Sequence, residues 1–137
     1  MSQIIAGGCA CGAIRYETSA DPTVMVNCHC RDCQRAGGGA YAPVIIFETK
    51  AVKLSGEPRY YETVGLAGNK VERGFCATCG SQIAVKLARF PNLIGFQAGS
   101  LDDPSCYRPR MDIFTASAWA WDHMHTDTEK RTHGFAE

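Results

Sequence analysis

Seven of the eight cysteines fall into three short clusters: Cys9-Ala10-Cys11-Gly12, Cys28-His29-Cys30-Arg31-Asp32-Cys33 and Cys76-Ala77-Thr78-Cys79-Gly80. Cys106 stands alone. A C-x-x-C followed by Gly makes a tight knuckle that turns both sulfurs toward one metal, and C-x-C-Gly can do the same on a shorter loop. Together Cys9, Cys11, Cys76 and Cys79 offer four thiolates, the closed tetrahedral set of a structural zinc site. Metal binding there becomes folding energy.

The middle cluster offers three sulfurs within six residues. In an extended segment Cys28 and Cys30 point to one face and His29 to the other, and Cys33 can return from the following turn. Three protein ligands leave one tetrahedral position open, which marks catalytic rather than structural zinc. Three thiolates donate strongly, so such a zinc ionises water poorly and suits a fourth sulfur. The expected substrate is therefore a thiol or a thiol adduct. Other readings of the same residues stay open here. All seven cysteines could be structural, with His29 or another residue completing the second set. Disulfides, a redox C-x-x-C and an iron–sulfur cluster fit the spacing or the compartment less well.

The rest of the chain bounds these readings. Its 137 residues suit one domain, and 45% hydrophobic residues supply a core. Fourteen basic residues against fourteen acidic ones give no net charge, which argues against a nucleic-acid or acidic-membrane partner. No apolar run is long enough to span a bilayer. The opening MSQIIAGGCAC has no basic residue before its short apolar stretch, so no secretory leader is expected and the reducing cytoplasm is the expected compartment.

Short β-type runs must position the clusters. They are expected at Ala13–Thr18, Thr23–Asn27, Tyr41–Phe47, Val52–Leu54, Arg59–Thr63, Lys70–Phe75, Gln82–Lys86 and Leu93–Gln97. Turns are expected at 55–58, at Leu66-Ala67-Gly68-Asn69 and at 102–105. Arg31–Ala36 and Trp119–Met124 can each form a short helix. The expected architecture is mainly β, with a single domain over residues 1–125. A polar tail over 126–137 is expected to be poorly ordered.

At these motifs the chain resembles the glutathione-dependent formaldehyde-activating enzyme family, which shares its domain with centromere protein V. The resemblance runs from about Gly8 to Trp121. It rests on GGCACGAIRYE, NCHCRDCQRAGGGAYAP, SGEPRYYE and RGFCATCGSQI in that order. It implies small, twisted antiparallel sheets packed as a zinc-stabilised β-tent, with one or two short helices. It implies a structural zinc on Cys9, Cys11, Cys76 and Cys79 and a catalytic zinc on Cys28, Cys30 and Cys33. It also implies carbon–sulfur lyase activity, like that of S-(hydroxymethyl)glutathione synthase, with glutathione as cosubstrate. Where the family often places a His before its late aliphatic–aromatic strand, this chain has Asp112 before Ile113-Phe114.

Arg31 and Arg35 flank the three-cysteine cluster and could hold a glutathione carboxylate; each could equally be part of a solvated basic face. Gly37, Gly38 and Gly39 could admit a ligand or simply stop the helix. Tyr41 could donate to an oxyanion or pack in the core. Phe75 and Trp119 read as core or pocket wall, His123, His125 and His133 as surface residues, and Cys106 as a buried or unpaired thiol. The rival from another class is a non-catalytic zinc module that binds a small thiol or a protein. A zinc-ribbon nucleic-acid binder is a further rival, disfavoured by the neutral charge.

Overall fold

The structure is a computed structural model that describes residues 3–66 and 68–135. Eleven strands and one α-helix occur in it. Strands β1 (Ile5–Gly8), β2 (Arg15–Thr18) and β5 (Lys53–Ser55) form a three-stranded antiparallel sheet in the order β1-β2-β5. The larger sheet holds β3 (Val24–Cys28), β4 (Ala42–Glu48), β6 (Arg59–Val64), β7 (Lys70–Phe75), β8 (Gln82–Leu87), β9 (Leu93–Gln97), β10 (Met111–Ile113) and β11 (Glu129–Lys130). Its order is β11-β10-β3-β4-β9-β8-β7-β6. Pairing is antiparallel from β3 to β6, and β10 joins β3 and β11 in parallel at the other edge.

Strand β4 explains how two cores form. Its sequence Ala-Pro-Val-Ile-Ile-Phe-Glu is nearly continuous in apolar residues because both of its faces are covered. Ile45 and Phe47 point toward the small sheet and pack with Ile14, Tyr16, Ile83 and Phe96. The Tyr16 ring stacks on Phe96 with centroids 3.8 Å apart, and its hydroxyl meets Ser100 Oγ at 2.6 Å. Val44 and Ile46 point the other way, into a second cluster with Val26, Cys28 and Ile113. This second face carries the candidate site.

The helix α1 (Arg31–Gly37) starts at Cys30, whose extended backbone and Sγ cap the N–H of Cys33 at 3.3 Å. It ends where Gly38 turns left-handed and donates its N–H to Gln34 O at 2.8 Å. Trp119–Met124, expected as a second helix, forms only a turn closed by Asp122 N–H on Trp119 O at 3.0 Å. The Trp119 indole instead donates to Gln34 Oε1 at 2.8 Å, which fixes this segment across α1. The segment from Thr126 is also tied down. Strand β11 lies beside β10, Phe114 N–H donates to His133 O at 2.8 Å, and Phe135 packs on the second core. Ala67, inside one expected turn, and residues 136–137 of the expected tail lie outside the described residues. Among the described residues no helix is long and apolar enough to cross a membrane.

Candidate metal centres

Cys9 and Cys11 sit on the loop between β1 and β2, and Cys76 and Cys79 on the loop between β7 and β8. The fold brings these loops together, and all four sulfurs lie within 4.8 Å of one another. Cys9 Sγ is 3.6 Å from Cys11 Sγ, which is 3.7 Å from Cys76 Sγ. A tetrahedral ion with metal–sulfur bonds of about 2.3 Å has sulfur–sulfur edges of about 3.8 Å. The spacing therefore fits one zinc-sized ion, and it is too wide for a disulfide. Gly12 and Gly80 close the two knuckles at φ 81° and 78°, where a side chain would strain the backbone.

Backbone and hydroxyl donors favour the thiolate at Cys9 and at Cys79. Ile14 N–H donates to Cys9 Sγ at 3.2 Å and draws the Cys9 thiol below its ordinary value. The Ser81 hydroxyl, 3.3 Å from Cys79 Sγ, pulls Cys79 down to about 5. Ser81 Oγ also accepts Ala10 N–H at 3.1 Å, which links the two loops directly.

The second cluster is assembled by β3 and α1. The register Cys28↔Ala42 and Ile113↔Cys28 fixes Cys28 at the strand end, and the helix start brings in Cys30 and Cys33. Their three sulfurs also lie within 4.8 Å of one another. Hydrogen bonds from Cys28 and Cys33 make Cys30 the preferred thiolate and push it down to about 2. The same contact with Cys30 raises Cys28. For Cys33, its bond with Cys28 lowers the thiol, but Cys30 and burial outweigh it and raise Cys33 to about 11. The donor set, three sulfurs and no oxygen, suits a soft ion.

His29 faces away from these sulfurs and is fully buried. Its Nε2–H donates to Asp112 Oδ1 at 2.6 Å, and its Nδ1 lies 3.0 Å from Asp122 Oδ2 without hydrogen-bond alignment. Both ring nitrogens face carboxylates, so His29 is not placed as a fourth ligand. Asp112 also accepts from the Thr128 hydroxyl. Burial alone raises the Asp112 carboxyl, but the His29 and Thr128 bonds prevail and hold it below its ordinary value. Gln34 completes the frame. Its Nε2 donates to His29 O at 2.7 Å and Ser117 O at 3.0 Å, while its Oε1 accepts from Arg31 and Trp119.

Among the described residues, one guanidinium donates to the second set of sulfurs. Arg73, on β7 and 8% exposed, donates Nη2–H to Cys33 Sγ at 3.5 Å and Nη1–H to Thr63 Oγ1 at 2.9 Å. A buried cation needs such partners, and three thiols that ionise on metal binding need such a cation. The sulfurs open into a cleft of about 310 Å³. Phe114 lines it in a left-handed backbone conformation, φ 55° and ψ 40°, that non-glycine residues rarely adopt.

Comparison with known proteins places this geometry. The family model described as "Glutathione-dependent formaldehyde-activating enzyme" matches residues 4–117, which include both cysteine sets. The chain belongs to the glutathione-dependent formaldehyde-activating enzyme family. A protein of Halomonas elongata, provisionally named as such an enzyme, is 30% identical over 104 residues. That match covers 72% of this chain and 66% of the relative's length. A crystal structure of a Rhodobacter sphaeroides protein shares the fold, with a TM-score of 0.55 at 22% identity, covering 71% of this chain and 87% of that one.

Within this family member, the residues singled out from sequence are distributed unevenly around the cleft. Arg31 lines it and lies over the Trp119 ring, 5.7 Å from the centroid. Arg35, one turn further along the same face of α1, does not line the cleft and shares a shallow concavity with Arg31, Gly38, Gly39, Trp119 and Trp121. Tyr41 packs on His29 with ring centroids 5.1 Å apart and does not line the cleft. Phe75 is half-buried at the end of β7. Cys106 is an exposed free thiol whose Sγ–H points at Asp103 O. Sequence reasoning missed Arg73, Gln34 and Asp122, and left Asp112 without a role.

Proposed function

We propose that this protein is a zinc-dependent carbon–sulfur lyase that makes and breaks a thiol adduct, with glutathione as the thiol. The observation that carries this reading is the cluster of Cys28, Cys30 and Cys33, three sulfurs with no fourth His, Cys, Asp or Glu donor among the described residues, open to a cleft and braced by Arg73. Cys9, Cys11, Cys76 and Cys79 would hold a structural zinc, and Cys28, Cys30 and Cys33 a catalytic one. Bound at the second set, zinc supplies a soft Lewis-acid position with one place left open, which favours a substrate thiol over water.

In the adding direction the thiol sulfur forms a bond to the carbonyl carbon. The C=O π pair moves to oxygen, and the proton released from the thiol ends on that oxygen. Cleavage is the reverse, so no oxidant or reductant is needed. Arg73 offsets the negative charge of the sulfurs, and Arg31 at the rim meets a carboxylate of the thiol. Asp32 is the one carboxylate lining the cleft among the described residues, and in this reading it would carry the proton. A reducing compartment such as the cytoplasm suits eight free thiols.

The test combines metal analysis with glutathione titration. Two zincs, one of them readily chelated and protected by glutathione, together with glutathione-dependent consumption of an aldehyde, support the reading. Two equally resistant zincs with no thiol effect favour a non-catalytic binding module.

A further inference from the structure

We infer that the carbon partner of the adduct bears an apolar group of about four to seven carbons, seated in the cleft beyond Cys28, Cys30 and Cys33. This rests on the thiol-adduct reading above. The cleft has about 310 Å³, whereas formaldehyde has only two heavy atoms, each taking up roughly the 30 Å³ of a water molecule. Its wall is formed by Ile46, Val85, Leu87, Phe90, Phe114 and Phe135. Five of these six residues also line an adjoining apolar hollow of about 230 Å³, so the wall continues away from the sulfurs. One-carbon chemistry gives such a wall nothing to bury.

A sulfur seated at the three cysteines has two substituents to place. Glutathione carries two carboxylates and an ammonium, which an aromatic and aliphatic wall does not solvate. Arg31, next to Cys30 in the chain, also lines the cleft and suits one of those carboxylates. The remaining substituent, on the carbon side, is left with the apolar wall. An aliphatic or small aromatic aldehyde supplies it, and the bond changes are those already given.

Calorimetric titration of the zinc-loaded full chain with glutathione and its S-methyl, S-butyl and S-hexyl derivatives tests this without relying on turnover. Affinity should rise up to about fourfold per methylene, giving a hundredfold or more from methyl to hexyl. Leu87→Gln should shrink the hexyl-to-methyl ratio at least tenfold. If circular dichroism shows that this variant does not fold, Phe90→Ser is read by the same ratio. A flat series, or a ratio untouched by the substitution, overturns the apolar subsite while free glutathione binding keeps the thiol reading intact. Failure of every compound to bind, glutathione included, overturns both.

Discussion

Arg73 and Cys33 lie 40 residues apart in the chain, yet the Arg73 guanidinium donates to the Cys33 sulfur at 3.5 Å from within the core. The contact joins β7, whose end leads into the first sulfur set, to α1, which carries the second. One strand thus supports the second sulfur set with a side chain and leads by its end into the first.

Arg73→Met keeps the bulk of the side chain and removes its charge. Zinc affinity at the Cys28/Cys30/Cys33 set should fall about 10- to 100-fold, as for loss of other groups that support metal ligands. Affinity at the Cys9/Cys11/Cys76/Cys79 set should not change. Competition with a chromophoric chelator, which resolves two release steps, measures both, and equal weakening of the two sites would refute the assignment.

The two sulfur sets should respond differently to single substitutions. Cys79→Ser removes one of four ligands that join distant loops, and should lower the thermal midpoint by roughly 10 °C or more, at about 4 °C per kcal/mol for a chain of this size. Cys30→Ser should abolish one zinc and thiol-dependent activity while leaving the circular dichroism spectrum intact. Should Cys30→Ser unfold the chain as fully as Cys79→Ser, the division into structural and catalytic centres fails.

Asp112 gives a pH dependence with a definite sign. Its folded carboxyl is held below the ordinary value, so its contribution is fully present above the unfolded value near 4 and is lost as pH falls through the folded value. Asp112→Asn should cost about 1.5–3 kcal/mol at pH 7, as for other hydrogen bonds to a charged group. The gap between wild type and variant should narrow below about pH 4. Urea unfolding of the two proteins in parallel cancels acid effects on the metal sites, and a gap that stays constant into acid would contradict the role.

Gln34→Ala strands the His29 and Ser117 carbonyls and the Trp119 indole N–H together. The buried His29 carbonyl left unsatisfied should cost about 1–3 kcal/mol, with little added by the part-buried Ser117 carbonyl and Trp119 indole, which water can reach. Release of Trp119 should also shift its fluorescence to the red. An unchanged emission maximum would mean that the indole is held by something else.

The parts of this molecule that were readable from sequence are those whose cause is local. The cysteine knuckles are set by spacing over three to five residues, and eight of the eleven strands follow from short β-branched and aromatic runs. The parallel edge was not readable: Met111–Ile113 and Glu129–Lys130 are too short to show a period and form only because β3 offers a free side. Strand β1 was missed because Gly7-Gly8 reads as a break. Likewise Asp112 lies 83 residues from His29, and nothing around it in the chain announces a buried acid. Trp119–Met124 misled for the converse reason: a locally plausible helix yields to the hydrogen bond that the Trp119 indole donates to Gln34 on α1.

The span between Cys11 and Cys76 is 65 residues, and the whole of Cys28–Cys33 lies inside it. An ion held by both ends is a cross-link closing a long loop, and in the unfolded chain such a closure is worth about 4 kcal/mol, like a disulfide of the same reach. With such an ion bound, the chain would have a tether that reductants cannot cut. Chelators and acid can, and once it opens, the segment bearing the second set of sulfurs is freed with it.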